Sequence, residues 1–212
     1  MNALTPPVLD PAAVAKVPTQ NRAKLRFEAV LLESERLLAQ SGLERFSIPV
    51  LAERLDITRG SIYAYFPTHY AILNELVGRY LAEMETMYRN QYDDLIRSPL
   101  IESVRRVVHQ AVEYHNNRPV ARLLMLGGAV TDASYRAQEM LLARLGHMGR
   151  EIWEQHAGSQ GIPEDVDIFT VSVDLAVACF RRSVFQFGEI TPAYRDAAIR
   201  AMYGFLEAYL DP

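Results

Sequence analysis

From residue 21 to the end of the 212-residue chain, apolar side chains recur at every third or fourth position, and the alternating pattern of a β-strand is scarce. This spacing gathers apolar side chains on one side of an α-helix, so the chain must bury them by packing helix against helix. Helix-breaking residues divide the pattern, among them Gly42, Pro67, Pro99, Pro119 and Pro192. The sequence therefore predicts an all-α protein of about nine helices.

Composition restricts the class of protein further. Hydrophobic residues make up 50% of the chain and charged residues 23%, which is typical of a globular protein that buries a core without disulfides. Cys179 is the only cysteine, so an internal disulfide is impossible, as suits a reducing compartment. No stretch approaches the ~18 apolar residues of a membrane span, and no secretion signal is recognisable. We therefore expect a cytoplasmic protein that does not contact a membrane.

The acidic residues are concentrated in the later part of the chain. Residues 21–80 carry eight Lys or Arg against seven Asp or Glu, whereas residues 81–212 carry thirteen against eighteen. The net charge of −4 therefore says little about the first part. Charge alone neither indicates nor excludes a nucleic-acid partner.

The spacing of breakers also predicts the domains. Residues 1–20 contain four prolines and are predicted to form a flexible N-terminal arm. Residues 21–68 contain three closely spaced helices, and residues 69–212 contain the longer ones. We therefore predict a small N-terminal domain and a larger helical domain, linked by a helix that runs from His69 to about Tyr92.

The segment "SIPVLAERLDITRGSIYAYFPTHY", residues 47–70, predicts two short helices joined by a tight turn. Ser47 is placed to cap the first helix, and Asp56 lies where the turn needs a left-handed residue. Thr58 is placed to cap the second helix, which Pro67 ends. Braced by the preceding helix, this arrangement is a helix-turn-helix, whose second helix enters the DNA major groove with its N-terminus leading.

The second helix is expected to bury Ile62 and Phe66, which lie one turn apart, and to expose its remaining side chains. Arg59 suits either a guanine base or a phosphate, and the sequence does not decide between them. The rings of Tyr63 and Tyr65 are also suited to packing on the first helix. The residues predicted to contact DNA are Ser47, Thr58, Arg59, Gly60, Ser61, Tyr63, Ala64, Tyr65 and His69.

Residues from about 22 to 80 resemble the DNA-binding domain of the TetR family of bacterial one-component regulators. The resemblance rests on "LLAQSGLERFSI" and "LAERLDITRGSIYAYFPTHYAIL", and "GSIYAYFPT" is its most specific part. It implies a ligand-responsive transcriptional regulator and not an enzyme. Such a protein is expected to act as a repressor, to bind a palindromic DNA operator as a homodimer, and to be released by a small lipophilic or aromatic effector.

Three positions depart from the family pattern. Pro49 and Val50 replace a polar pair, so the carboxylate of a capping box is missing. Asp56 replaces the usual turn glycine. His69 replaces the usual lysine, which makes one phosphate contact weaker and sensitive to pH. These departures bear on the strength of operator binding and not on the presence of the motif.

The last two helices are the candidates for a dimer interface. The segment "VSVDLAVACF" is apolar nearly all round, so it must be covered on every side, and the alanines of the last helix permit close approach. Both helices are expected to pair with a second copy in a four-helix interface; the alternative is that they complete the core of a monomer. The predicted interface residues are Val173, Val177, Phe185, Tyr194, Ala198, Ala201, Phe205 and Ala208.

The resemblance implies a ligand pocket in the larger domain. Aromatic and methionine side chains there suit a planar or lipophilic molecule, although a plain helical core would contain the same residues. Asp174 needs a partner in its apolar helix, and Arg181, Arg182, another arginine or a bound cation would each serve. The predicted ligand-binding residues are Tyr88, Tyr92, His109, Tyr114, Leu124, Met125, Met148, Trp153, Phe169, Asp174 and Phe180.

The sequence gives little support to other chemistry. The five histidines show neither the His-x-x-x-His nor the Glu-x-x-His spacing of helical metal sites, and no glycine-rich phosphate loop is present. We therefore expect no metal site, no catalytic residue and no cofactor. The alternatives to a regulator are an all-helical small-molecule-binding protein or enzyme without operator binding, and, less directly, a helical module that binds another protein.

Overall fold

The computed structural model describes residues 11–128, 131–157 and 162–210. Within them the regular structure is entirely helical, with ten α-helices and one turn of 3-10 helix at Pro11–Ala13. The predicted all-α class is thereby confirmed. The helix expected to run from His69 to about Tyr92 ends at Arg89 instead, and a separate short helix follows it.

The helices are given in chain order. They are α1 (Asn21–Ser41), α2 (Ile48–Arg54), α3 (Arg59–Tyr63), α4 (His69–Arg89), α5 (Tyr92–Arg97), α6 (Leu100–Asn117), α7 (Pro119–Leu126), α8 (Asp132–Ala157), α9 (Ile168–Phe187) and α10 (Pro192–Leu210).

The described residues pack as two compact units. The first combines residues 11–80 with residues 119–137, and the second combines residues 81–118 with residues 138–210. The first unit therefore includes α7, which the sequence assigned to the larger domain. Residues 1–10 of the predicted arm lie outside the described residues.

The first unit is organised around aromatic packing. The ring of Phe27 on α1 stacks on that of Phe66, just after α3, with 4.6 Å between centroids. Val30 on α1, Leu51 on α2 and Ile62 on α3 are also fully buried. Because α1, α2 and α3 each contribute to this core, their apolar sides fix the orientation of the two short helices.

The second unit contains a hairpin of α9 and α10 whose loop is fixed by side chains. The amide of Asn116 donates to the Ile190 carbonyl and accepts from the Ile190 N–H, both at 2.9 Å. The Ser183 hydroxyl donates to the Glu189 carbonyl at 2.8 Å and accepts from the Thr191 N–H at 2.9 Å. The backbone groups of this loop are thus satisfied by side chains, as buried polar groups require.

None of the described helices combines the length with the apolar composition that crossing a membrane requires.

The contact between α8 and α9 depends on a glycine. Gly146 is buried, and a Cβ atom at this position would lie 2.6 Å from the amide nitrogen and 2.7 Å from the Cα of Thr170. Both are backbone atoms, so they cannot move aside as a flexible side chain would. Gly149, one turn later, has room: a Cβ there would lie 3.5 Å from the Phe169 ring.

We expect Gly146→Ala to lower the free energy of unfolding by about 1–3 kcal/mol, because the added methyl overpacks the α8–α9 contact. Gly149→Ala is the matched control, since both changes improve helix propensity by up to about 1 kcal/mol and only one creates a clash. Urea unfolding followed by circular dichroism measures both variants. Equal stability of the two would contradict the close approach of these helices.

Candidate nucleic-acid interface and apolar cavity

The start of α2 differs in one detail from the sequence expectation. Ser47 lies at the N-cap position in extended conformation, but its hydroxyl makes no capping hydrogen bond, so the predicted cap interaction is wrong. A capping side chain bonds to the amide of the second or third helical residue. The second residue here is Pro49, which has no N–H to donate.

The turn between α2 and α3 contains a left-handed residue, as predicted. Asp56 has a φ of 52°, and it is the one non-glycine residue with positive φ among those described. Aspartate accepts this conformation more easily than most residues because its short polar side chain can bond locally. The turn therefore adopts its left-handed conformation without glycine.

The start of α3 is held by two hydroxyls. The Thr58 Oγ1 accepts from the Ser61 N–H at 3.3 Å and lies 2.9 Å from the Ser61 Oγ. The predicted cap by Thr58 is thus confirmed. Thr58, Arg59 and Gly60 are exposed, so the leading end of α3 faces solvent.

The rest of α3 is oriented by what it buries. Ile62 and Phe66 are both 0% exposed, which confirms their predicted role. On the other side Tyr63 is 46% exposed and the Ala64 methyl is exposed. Tyr65 is half-buried, and its ring meets the edge of Phe27 on α1 at 6.1 Å between centroids.

The N-terminus of α4 lies next along the chain. Thr68 caps it, because its Oγ1 accepts from the Ala71 N–H at 3.3 Å. His69 is half-buried, and its ring lies 3.9 Å from that of Tyr70. The first-turn amides of a helix this long favour an anion.

Ion pairing divides the cations of residues 11–80 into two groups. Arg36 and Arg54 pair with Glu33, and Arg79 pairs with Glu28 and Glu75. The hydrogen bond from Arg79 holds the pKa of the Glu28 carboxyl below its usual value. Within the described chain, six other cations have no carboxylate within 4.0 Å: Lys16, Arg22, Lys24, Arg26, Arg45 and Arg59.

The carboxylates of residues 11–80 that have no ion pair to another described residue are Glu35, Glu44, Glu53 and Asp56, so the six cations exceed them by two. Residues 11–80 thus carry a small surplus of positive charge, and the structure shows which of their cations are free of ion pairs. Such a surplus is the electrostatic requirement for binding a phosphate backbone.

The second unit contains an apolar cavity of about 50 Å³ between α6, α8, α9 and α10. The hydroxyls of Ser103 and Ser172 at its wall donate to the carbonyls of Leu95 and Phe169, at 2.9 and 2.7 Å. Both hydroxyl donors are thus already bonded to backbone carbonyls and are not available to a ligand. The cavity therefore suits an apolar group. Its other lining residues include Val104, Val107, Met148, Phe169, Met202 and Leu206.

Of the predicted ligand-binding residues, Met148 and Phe169 line this cavity. Val104, Val107, Met202 and Leu206 were missed, although the apolar stripe of α6 could have indicated the first two. Trp153 packs on the neighbouring core cluster of Ile168, Phe169 and Leu206.

The remaining predicted ligand-binding residues lie elsewhere. In the second unit Tyr88, Tyr114 and Phe180 are buried, Tyr92 donates to Glu151 at 2.9 Å, and His109 is exposed. Burial raises the pKa of Tyr88. Leu124 and Met125 are buried in the first unit.

Asp174 is exposed on α9. Its apolar surroundings still raise the pKa of its carboxyl by desolvation, and Arg181 opposes this shift. Of the partners considered for this carboxylate, Arg181 is the one whose charge acts on it. No ion pair to Asp174 is formed among the described residues.

The predicted dimer residues differ in exposure. Phe185 is 82% exposed and Ala208 is exposed, whereas Ala198 is fully buried within the chain. Val173, Val177, Tyr194, Ala201 and Phe205 are half-buried. Two more exposed aromatic residues lie on the same helices: Phe187, at 58%, and Tyr209, at 43%.

Among the described residues, no group of three or more His, Cys, Asp or Glu side chains is arranged to hold a metal ion.

Comparison with known proteins supports the helix-turn-helix assignment. Residues 30–76 match the model of the bacterial regulatory proteins of the tetR family. This match spans the second half of α1, both short helices and the start of α4. No curated protein matches the chain significantly.

Two solved structures share the fold. Thermus thermophilus FadR, a TetR-family transcriptional repressor in complex with lauroyl-CoA, has 17% identity and a TM-score of 0.61 over 87% of this chain and 95% of that chain. A TetR/AcrR-family transcriptional regulator from Thermobifida fusca has 14% identity and a TM-score of 0.54 over 90% and 99%. Residues 30–76 thus form a TetR-family helix-turn-helix, and the chain has the fold of the TetR family of transcriptional regulators.

Proposed function

We propose that the protein is a cytoplasmic, ligand-responsive repressor that binds a palindromic DNA operator as a homodimer and is released by a small lipophilic effector. The exposed leading end of α3 carries the proposal. Thr58, Arg59 and Gly60 face solvent because Ile62 and Phe66 bury the opposite side of the helix. A short helix presented in this way suits insertion into a major groove.

The side chains at this end have the chemistry that reads DNA. Arg59 has no carboxylate partner within 4.0 Å in the described chain, so its guanidinium is free for guanine O6 and N7 or for a phosphate. The Ala64 methyl suits a thymine methyl. The α4 N-terminus at His69 suits a phosphate, through its amides and helix dipole.

We expect the protein to bind the intergenic DNA beside its own gene, with an affinity that falls steeply as salt rises. Arg59→Ala should lower this affinity by roughly 5–150-fold, as expected for loss of a bidentate base contact. Fluorescence anisotropy with a labelled duplex measures both effects. Arg106→Ala, an exposed arginine of the second unit, is the control and should bind as the wild type does.

Two results would contradict the DNA-binding proposal. One is an absence of salt-dependent binding to any duplex, which would favour the helical small-molecule-binding protein without operator binding. The other is equal binding by wild type and Arg59→Ala, which would remove α3 from the interface.

The exposed aromatic residues of α9 and α10 support the homodimer. Phe185, Phe187 and Tyr209 leave apolar area in water that a second copy would cover. A symmetric pair would also present two copies of α3, which is what a palindromic operator requires.

Phe185→Glu is expected to shift the protein from dimer to monomer, because it places a charge within the proposed interface at little cost to the chain itself. Sedimentation equilibrium measures the mass. Leu32→Glu on α1, where the leucine is 51% exposed, introduces the same charge outside the α9–α10 face and should remain dimeric. A wild type that stays monomeric at all concentrations would contradict the homodimer.

The cavity of the second unit supports an apolar effector. Its wall is apolar, and the donors of its two serines are already engaged. At about 50 Å³ it is far smaller than the roughly 300–1,000 Å³ of pockets that hold drug-sized ligands. An effector would therefore enter with an apolar end and enlarge the cavity. The lauroyl chain bound by the similar Thermus repressor makes an acyl chain the first candidate.

The α4 helix could couple effector binding to operator binding. It contributes its first half to the unit that contains α3 and its second half to the unit that contains the cavity. An effector that binds one position of α4 more tightly than another shifts the population of the two positions. Reciprocally, operator binding must weaken effector binding by the same factor.

We expect lauroyl-CoA to weaken operator binding by the wild type, and Val107→Phe to reduce this response at least about tenfold by filling the cavity. DNA affinity without effector should be unchanged. Val112→Phe is the control, since this half-buried valine lies on the same helix but does not line the cavity. The effect is measured by titrating lauroyl-CoA into the protein–DNA complex. A wild type insensitive to lauroyl-CoA would reject an acyl chain as the effector.

A further inference from the structure

The residues before α1 are attached to the helix-turn-helix. The Lys16 N–H donates to the Tyr65 carbonyl at 2.7 Å, directly after α3. The Thr68 hydroxyl donates to the Ala12 carbonyl at 2.7 Å, and the Asn74 side chain donates to the Ala13 carbonyl at 2.9 Å. Residues 12–16 therefore lie along the end of α3 and the first turns of α4. We call residues 12–16 the strap.

These three hydrogen bonds fix the backbone of the strap and leave the Lys16 side chain free. The bond at Lys16 uses its main-chain amide, and the residue is exposed. Among the described residues no carboxylate lies within 4.0 Å of its ammonium. A lysine on an anchored backbone loses less freedom on binding an anion than a lysine on a free arm does.

The position of Lys16 matters because of its neighbours. Tyr65 and His69 flank the capping residue Thr68, and the same short segment carries the first amides of α4. The proposed function assigns a phosphate to this N-terminus of α4. A positive charge beside them adds to the attraction of the helix N-terminus for an anion.

We infer that Lys16 contacts the phosphate backbone of DNA, and that the strap positions it beside the N-terminus of α4. This inference rests on the proposed DNA-binding function. It extends the interface beyond the helix-turn-helix to a residue that precedes α1. The contact is to phosphate and not to bases, so it contributes affinity without sequence preference.

The test compares Lys16→Ala with Lys16→Arg by fluorescence anisotropy, using the intergenic duplex and a mixed-sequence duplex of equal length. Lys16→Ala should weaken both complexes by the same factor, about three- to tenfold per protomer at 0.15 M salt. The slope of log affinity against log salt should fall by about one per protomer. Lys16→Arg should restore both quantities, and the Arg106→Ala control should change neither.

Asn74→Ala tests the strap separately, because it removes the donor to Ala13 and leaves the charges intact. The same change removes the acceptor of the Thr131 hydroxyl, at 2.7 Å, so Thr131→Val, which loses that bond and keeps the strap, is the control. Asn74→Ala should weaken DNA binding when Lys16 is present and have no further effect in the Lys16→Ala variant. A fully additive loss in the double variant would show that the strap does not position Lys16 and would overturn that part of the inference.

The outcomes separate this inference from the proposed function. If Arg59→Ala is impaired while Lys16→Ala keeps wild-type affinity and salt slope, the Lys16 contact is wrong and DNA binding stands. If Lys16→Arg is as impaired as Lys16→Ala, the residue acts by packing and not by charge, which also overturns the contact. If the wild type binds neither duplex at low salt, the proposed function fails and the inference fails with it.

Discussion

The stacking of Phe66 on Phe27 is the contact on which the helix-turn-helix depends. A helix of five residues is too short to be stable alone, since helix formation begins with a costly nucleus. Its conformation must therefore come from burial, which Ile62 and Phe66 supply, with the Phe66 ring stacked on Phe27 of α1. The same contact decides which side of α3 faces outward. Burial of Ile62 and Phe66 therefore stabilises α3 and also exposes its candidate DNA-binding residues.

The sequence predicted the features that local rules decide. The cap at Thr58, the left-handed turn at Asp56 and the inward side of α3 follow from residue type and a spacing of four, and the structure confirms them. The break after Arg89 was missed because neither glycine nor proline marks it. The cap at Ser47 was overestimated because Pro49 removes one of the two amides that such a cap uses.

The cavity was harder to predict than the helix-turn-helix. Its walls come from four helices that together span residues 100–210, and an apolar residue on a helix does not indicate which neighbour it will face. Leu124 and Met125 are an example, because they are as apolar as the cavity residues but lie in the other unit. A count of charges does not show which of them form ion pairs. The cations of residues 11–80 that lack a carboxylate partner could therefore be identified only from the structure.

The engaged serine hydroxyls of the cavity have a consequence for selectivity. Binding sites discriminate most strongly when a ligand must supply a polar group to pair with a buried donor of the site. The wall of this cavity has no free hydrogen-bond donor, so it cannot discriminate in this way. What remains is discrimination by fit, at about 0.8 kcal/mol for each methylene buried, or roughly fourfold in affinity per carbon atom. A site of this kind ranks a homologous series by length in gradual steps, so the effector proposed here would be a class of related compounds and not a single one.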